Sequence, residues 1–305
     1  MPVVRRLALP GEMTTSETAS GSIVFIGTAT TLIHYAGFTI LTDPNFIHRH
    51  EQVDIGYGLK ATRQTDPAIE ITDLPPVDFV LLSHFHGDHF DQVAERGLDK
   101  TLPIVTTVEA AERLRERGFS SVYPLDTWGS VTVSKGAGTG DGAVGGTAPV
   151  RNGAARDGEV RLRITACPGR HGPPGANMVL PDVMGSLLDF EREGEGHLLR
   201  MYITGDTLVF DEIREIPRRF PGIDLALLHL GGTRVFGVLV TMDGKQGVEM
   251  MQIIQPRTAI PIHYNDYDVF KSPLEDFLQA AREAGLEDRI HTLRHGETFS
   301  FGKRE

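Results

Sequence analysis

Residues 77–89 read VDFVLLSHFHGDH, an apolar run followed at once by a cluster of polar side chains. The run VDFVLLS is continuous and too short for a lone helix, which is typical of a strand covered on both faces. In open α/β sheets, ligands gather beyond the carboxyl ends of the strands. The sequence therefore predicts that the chemistry of this protein takes place in the turn that follows residue 83.

That turn contains three histidines and one aspartate within six residues, namely His84, His86, Asp88 and His89. Neutral imidazole and carboxylate are the ligands that zinc and similar divalent ions prefer. We expect Gly87 to permit a bend that a β-carbon would obstruct. A solvated polar turn is the alternative interpretation, but the position at a strand end favours a metal site.

In the second half of the chain, predicted strands are again followed directly by polar residues. The further candidates for the same site are His171, Asp206, His229 and His263. Predicted helices alternate with these strands, which indicates a layered α/β fold. In the first half we expect two strands over residues 22–43, a loop or lid over residues 44–76, and a helix over residues 106–117 with Thr106 as its cap.

Composition excludes several classes of protein. The chain has 30 Lys and Arg against 41 Asp and Glu, a formal net charge of −11, which argues against a general nucleic-acid binder. A single cysteine, Cys167, excludes an internal disulfide framework and a multi-cysteine metal site. No run of 18 apolar residues is present, so we expect no transmembrane helix and a cytoplasmic protein. The composition is compatible with a homo-oligomer.

The motif His-x-His-x-Asp-His resembles the signature of the metallo-β-lactamase superfamily of hydrolases, and the later residues follow in the order that this superfamily has. The resemblance implies a four-layer αβ/βα sandwich with mixed sheets. It also implies one hydrolase domain over residues 1–305. Within that domain we expect residues 1–21 to be an N-terminal extension and, from their Gly-rich composition, residues 136–158 to be a flexible loop.

The resemblance further implies two divalent metal ions, with zinc expected and manganese or iron as alternatives. His84, His86 and His171 would hold one metal, while Asp88, His89 and His263 would hold the other. Asp206 would bridge them. A hydroxide between the metals would then attack the substrate, and a residual charge of about +1 on the site would attract an anion or a polarised carbonyl.

Three further roles are open at this stage. Asp88 would be catalytic as well as a ligand. Asp43 resembles the acidic residue that hydrogen-bonds a metal-bound histidine in the superfamily, with a structural turn as the alternative. His229 would protonate a leaving group or bind substrate, or else be an ordinary core histidine.

Looser motifs point to one branch of the superfamily. Residues 27–30 (GTAT), 41–44 (LTDP), 170–173 (RHGP) and 203–207 (ITGDT) resemble the branch with L-ascorbate-6-phosphate lactonase and the phospholipase D of N-acylphosphatidylethanolamine. The expected function is hydrolysis of a small or lipid-like phosphodiester or of a lactone-like ester. The alternatives are a non-catalytic scaffold that a metal stabilises and a metal-dependent nuclease.

Two loops are expected to shape the pocket, because loops carry most substrate contacts on such scaffolds. They cover residues 44–76 and 231–241. Within them, His48, His50, Arg234 and Phe236 are candidates for substrate contact, although a solvated surface is the favoured interpretation for each.

Overall fold

The fold is built from two seven-stranded sheets and five short helices, in a computed structural model that describes residues 4–10, 20–56, 58–135, 160–175 and 180–302. The strands in chain order are β1 (Val4–Leu9), β2 (Ser20–Gly27), β3 (Thr30–Tyr35), β4 (Phe38–Thr42), β5 (Gln52–Asp54), β6 (Lys60–Thr62), β7 (Phe79–Leu81), β8 (Ile104–Thr107), β9 (Val122–Leu125), β10 (Ser130–Lys135), β11 (Val160–Pro168), β12 (Met184–Arg192), β13 (Gly196–Ile203), β14 (Leu225–His229), β15 (Arg234–Val235), β16 (Val238–Leu239), β17 (Thr258–Ile262) and β18 (Thr298–Gly302). The helices are α1 (Gln92–Gly97), α2 (Val108–Glu116), α3 (Glu215–Arg219), α4 (Gly244–Ile254) and α5 (Leu274–Glu283), with 3-10 turns at Ile71–Asp73, Asp211–Arg214 and Glu287–Arg289.

Both sheets mix parallel and antiparallel strands. One has the order β18-β2-β3-β4-β7-β8-β9, and the other has the order β1-β10-β11-β12-β13-β14-β17. In the first sheet, β4, β7, β8 and β9 run parallel. In the second, β13, β14 and β17 run parallel, and β11 has the same direction because it is joined to β13 through the antiparallel β12.

Three apolar clusters define four layers. The largest cluster lies between the sheets and takes residues such as Phe25 and Ile40 from one sheet and Ile164 and Leu227 from the other. A second cluster packs α3, α4 and α5 on the outer face of the second sheet. A third packs α1 and α2 on the outer face of the first. The expected αβ/βα sandwich with mixed sheets is confirmed.

Several local expectations need correction. Residues 22–43 form parts of three strands rather than two, because the chain turns at Gly27 (φ 144°) and Thr28 (φ 53°) and folds β3 back onto β2. The helix over residues 106–117 is α2, and its cap is Thr107 rather than Thr106, since the Thr107 hydroxyl accepts from the Ala110 N–H at 3.1 Å. The loop over residues 44–76 contains the short β5–β6 hairpin.

The N-terminal segment is partly built into the fold. Residues 1–21 were expected as an extension, but β1 pairs in parallel with β10 and buries Leu7 and Leu9 between the sheets. The Gly-rich loop expected over residues 136–158 lies outside the described residues. One domain over residues 1–305 stays a prediction. Among the described helices, none has the length and apolar character needed to span a bilayer.

Candidate metal centre

The strand directions bring the candidate residues of the metal site to one edge of the sandwich. Each follows or ends a strand: Asp43 after β4, residues 84–89 after β7, His171 after β11, Asp206 after β13, His229 at the end of β14, and His263 after β17. The carboxyl ends of parallel strands meet at the same edge of a sheet, so residues far apart in sequence converge there.

The first group consists of three histidines, His84, His86 and His171, each of which offers a nitrogen within 4.8 Å of the others. Nε2 of His84 and Nδ1 of His86 lie 3.2 Å apart. His171 donates from Nδ1 to the Val240 carbonyl oxygen at 2.9 Å, which fixes its ring and leaves Nε2 directed away from that contact. Nδ1 of His84 lies 3.0 Å from the Ser83 hydroxyl.

The second group mixes carboxylates and imidazoles: Asp88, His89, Asp206 and His263. Nε2 of His89 lies 3.4 Å from Oδ2 of Asp206, and Nε2 of His263 lies 3.5 Å from Oδ2 of Asp88. The Thr241 hydroxyl donates to Oδ2 of Asp206 at 3.0 Å. All four residues are buried, so these charges face each other with little solvent between them.

Asp43 connects this group to His229. One carboxylate oxygen of Asp43 lies 3.4 Å from Nδ1 of His89 and 3.4 Å from Nε2 of His229, and the other accepts from the Ser83 N–H at 2.7 Å. Nδ1 of His229 lies 3.2 Å from the Thr204 hydroxyl. Both ring nitrogens of His229 thus have partners in the protein, and its side chain has no exposed surface.

Several buried polar atoms in the second group make no hydrogen bond with the described residues. They are Oδ1 of Asp88, Nε2 of His89, Oδ1 of Asp206 and Nε2 of His263. A buried polar atom without a partner costs about 1–3 kcal/mol. Two imidazole nitrogens and two carboxylate oxygens are also the donor set that divalent transition metals prefer, so the residues present fit such a cation.

The two groups differ in their pKa shifts. Burial, with repulsion from other histidines, holds the pKa of His84 well below its ordinary value and lowers that of His86 to about 3. Burial alone would lower the pKa of His89, but Asp206 and Asp88 outweigh it and raise that pKa well above 6.5. Burial would raise the pKa of Asp88, yet His89 and His263 lower it to about 2.

Local backbone geometry aims these side chains. Asp43 (φ 35°) and His263 (φ 61°) adopt left-handed conformations that cost non-glycine residues about 1–3 kcal/mol. The His263 N–H donates to the Thr28 carbonyl oxygen at 2.7 Å and helps to hold this turn. Gly87 is needed for space rather than for a positive φ, since a β-carbon there would lie 2.6 Å from the Asp54 carbonyl oxygen.

A buried arginine supports the same edge, and sequence reasoning did not single it out. Arg63 has no exposed side-chain surface, and its guanidinium lies 3.4 Å from Asp266. It also donates to the Asn45 side chain, whose own amide group donates to the Gly87 carbonyl oxygen at 2.9 Å. Arg63 is therefore two hydrogen bonds away from the turn that holds the first histidines. A lone arginine in a polar loop gives no sequence signal for such a role.

The cavity beside the candidate ligands is lined by both expected loops. Residues 44–76 contribute Ile55, and residues 231–241 contribute Thr233, Val235 and Val240. The four named candidates in these loops do not line it. Phe236 is 88% exposed, Arg234 and His50 are exposed, and His48 is an exposed residue 3.1 Å from Glu70. A larger groove of about 720 Å³ adjoins the cavity at His86 and Leu180.

Comparison with known proteins gives one family and several distant relatives. A family model described as a beta-lactamase superfamily domain matches residues 38–264. A UPF0173 metal-dependent hydrolase of Staphylothermus marinus is 28% identical over 256 residues, which cover 80% of this chain and 91% of that protein. A second, of Thermus thermophilus, is 29% identical over 223 residues, which cover 73% of this chain and 80% of that protein.

The architecture also recurs in solved structures. The isothiocyanate hydrolase from Delia radicum gut bacteria matches with a TM-score of 0.70 at 21% identity, covering 92% of this chain and 100% of that one. At this identity the likeness shows a shared fold.

Proposed function

Since the chain belongs to the beta-lactamase superfamily, we propose that it is a metal-dependent hydrolase that uses two divalent metal ions. One observation carries the proposal: seven residues from four strand ends meet at one edge, and four of their buried polar atoms make no hydrogen bond with the described residues. Buried polar groups are normally paired in proteins, so such a cluster is best explained by cations that pair with it.

The two groups of side chains suggest how the ligands divide. His84, His86 and His171 would hold one ion, and Asp88, His89 and His263 would hold the other. Asp206 would bridge the ions, because it packs beside His89 and His263 and its charge also acts on the pKa of His84. Zinc suits this mixture of imidazole and carboxylate, and manganese or iron would also fit.

When bound, the ions would supply Lewis acidity and would lower the pKa of a water, which makes it a nucleophile near neutral pH. The protein's own residues hold and orient the ligands for this chemistry. Thr241 orients Asp206 through its hydroxyl, and Val240 orients His171 through its carbonyl oxygen. We propose Asp88 as catalytic in the sense that it touches the reacting atoms.

We propose a positioning role for His229 rather than proton donation to a leaving group. It is fully buried, and Asp43 lies between it and His89. A proton donor must reach the leaving group directly or through one water. His229 instead orients the Asp43 carboxylate, which in turn orients the His89 ring, the usual way in which outer contacts tune a metal ligand.

The proposed substrate is a phosphodiester or a lactone-like ester. The motifs shared with the branch that contains L-ascorbate-6-phosphate lactonase and the phospholipase D of N-acylphosphatidylethanolamine support this range. The large groove beside His86 has a volume within the range of small-molecule sites.

The experiment combines metal analysis with a substrate panel. We expect purified protein to bind about two metal ions per chain and to hydrolyse a model phosphodiester or lactone. Asp206→Asn should lose about a thousandfold or more in rate while remaining folded. The matched control is Asp211→Asn, at an exposed carboxylate outside the site.

Two results would contradict the proposal. Protein that binds less than about one metal ion per chain and stays inactive after metal is added has no such centre. Zinc-dependent thermal stability without turnover on the panel would indicate a scaffold instead.

A further inference from the structure

The cavity beside the ligands has a simple composition. Four metal-ligand candidates line part of it, and the aliphatic side chains of the lining are those of Ile55, Leu180, Val235, Val240 and Val269. No lysine or arginine among the described residues lines it. Thr233 is the one polar side chain of this lining that lies outside the proposed ligand set.

Thr233 is buried, with 8% of its surface exposed, and its hydroxyl makes no hydrogen bond with the described residues. Its backbone carbonyl closes the loop by accepting from the Val240 N–H at 2.9 Å, a contact that any residue would make. Valine has nearly the same shape and would avoid leaving a buried hydroxyl unpaired, which is unfavourable. The fold therefore does not account for the hydroxyl.

The lining also restricts the charge of the reacting group. A phosphodiester carries its negative charge on two non-bridging oxygens. Bound ions would pair with an oxygen that faces them, but an oxygen that faces the aliphatic side chains would lose water without gaining a hydrogen bond. A carbonyl group is planar and uncharged, and its single oxygen needs few donors. The aliphatic side chains around the site favour the uncharged group.

We infer that Thr233 recognises the substrate by donating a hydrogen bond to it, and that the cavity selects uncharged esters over phosphodiesters. This inference rests on the proposed hydrolase function. In the reaction, the oxygen of a water bonds to the carbonyl carbon and the ester C–O bond breaks. The protons of the water end on the acid and the alcohol that are released.

The first test compares two substrates that share a leaving group, para-nitrophenyl acetate and bis(para-nitrophenyl) phosphate, on zinc-loaded protein. We expect kcat/KM for the ester, corrected for the uncatalysed rates, to exceed that for the phosphodiester by about tenfold or more. Thr233→Val should lower kcat/KM for the ester about tenfold, the effect of one hydrogen bond to a neutral group. Thr233→Ser keeps the hydroxyl and should restore most of the loss.

Thr106→Val is the matched control. The Thr106 hydroxyl is also buried and makes no hydrogen bond with the described residues, but Thr106 lies on β8 and does not line the cavity. Its replacement should leave kcat/KM and zinc content unchanged. The control separates removal of a buried hydroxyl as such from removal of a substrate contact.

A binding measurement gives a readout besides turnover. Acetanilide, an uncharged amide with a similar acyl group, should bind zinc-loaded protein in calorimetry, with Kd about tenfold weaker in Thr233→Val. Equal binding by both proteins, or preference for the phosphodiester, would overturn the inference. Turnover of the phosphodiester would leave the proposed hydrolase function intact. Inactivity of metal-loaded protein on both substrates would count against that function, and the binding measurement would then decide whether Thr233 contacts the ligand.

Discussion

Two clusters of charge, buried except for the partly exposed His295, lie near the same edge of the sandwich and are balanced in different ways. The metal cluster comprises Asp88, His89, Asp206 and His263, and the arginine cluster comprises Arg63, Asp266 and His295. In the arginine cluster, Asp266 faces a guanidinium at 3.4 Å and the His295 ring at 3.2 Å. In the metal cluster, no lysine or arginine among the described residues faces the carboxylates within ion-pair distance.

The difference lies in whether the balancing charge can be exchanged. A guanidinium is always protonated and belongs to the chain itself. The charge that balances Asp266 in the arginine cluster therefore cannot be exchanged. Without a metal, the carboxylates of the metal cluster are balanced by protons, because Asp206 and Asp88 raise the pKa of His89 and Asp206 raises that of His263. A divalent ion would take the place of those protons. Comparison of the clusters thus separates a structural from a functional use of buried charge.

The largest expected effect is that of removing the metal. A ligand present at about a thousand times its Kd stabilises the folded state by about 4 kcal/mol, so chelation should lower Tm and abolish activity together. Zinc should restore both. Asp206→Asn should lose most of the zinc-dependent rise in Tm, while Asp266→Asn should retain it. Equal zinc responses in the two variants would remove the distinction between the clusters.

The second effect concerns the arginine cluster. Arg63→Met leaves Asp266 buried without its main cation, and breaking a buried ion pair costs about 3–5 kcal/mol. Urea unfolding of the metal-free protein measures this cost. The control is Arg113→Met, whose partner Glu109 lies 2.8 Å away in a surface pair with side chains 49% and 32% exposed. An exposed pair contributes only about 0.2–1 kcal/mol. Equal losses in both variants would contradict the structural role of Arg63.

Prediction from the sequence was most successful for His and Asp residues that directly follow a predicted strand. The turn at residues 84–89 was the main basis for predicting the fold class, because a short apolar run before clustered histidines and an aspartate has few other interpretations. His171, Asp206 and His263 were placed by the resemblance and by strand ends, and the structure brings them to that turn. Their roles as ligands stay predictions.

What sequence reasoning could not give depends on contacts between distant segments. Arg63 and Thr233 belong to no sequence motif. They are recognised only in the structure, where each is buried and has a side-chain atom without a hydrogen bond to the described residues. The strand β1 was not predicted, because its six residues form a strand only through their pairing with β10, which is distant in sequence. The turn at Thr28 that divides β2 from β3 uses a positive φ at a residue that rarely adopts one.

The third prediction tests how far the metal cluster depends on contacts outside its ligands. His229→Gln should weaken zinc binding about 10- to 100-fold, the usual cost of removing a group that orients a ligand. Competition with a chelating dye measures Kd. His48→Gln, at an exposed histidine, should leave Kd unchanged. Unchanged zinc affinity together with a fall in kcat would instead assign His229 to proton transfer.

The smallest effect is the pH dependence of the arginine cluster. Burial would raise the pKa of Asp266, but His295 and Arg63 outweigh it and hold that pKa below its ordinary value of 3.8. The ionised carboxyl is therefore favoured in the folded state, and its stabilising contribution is present above the unfolded pKa of about 3.9. The contribution is lost as pH falls through the lowered pKa of the folded state.

Thermal unfolding of metal-free wild type and Asp266→Asn measures this contribution. The variant should melt at a lower temperature at about pH 7, and the difference should shrink towards about pH 3, because the wild-type carboxyl is then increasingly protonated. Asp211→Asn, at an exposed position, should show little difference at either pH. If the difference in melting temperature between wild type and Asp266→Asn stays constant over this range, the charge of Asp266 is not what stabilises the cluster. The hydrogen bond that Asp266 accepts from the Thr65 hydroxyl at 2.6 Å would then be the stabilising contact.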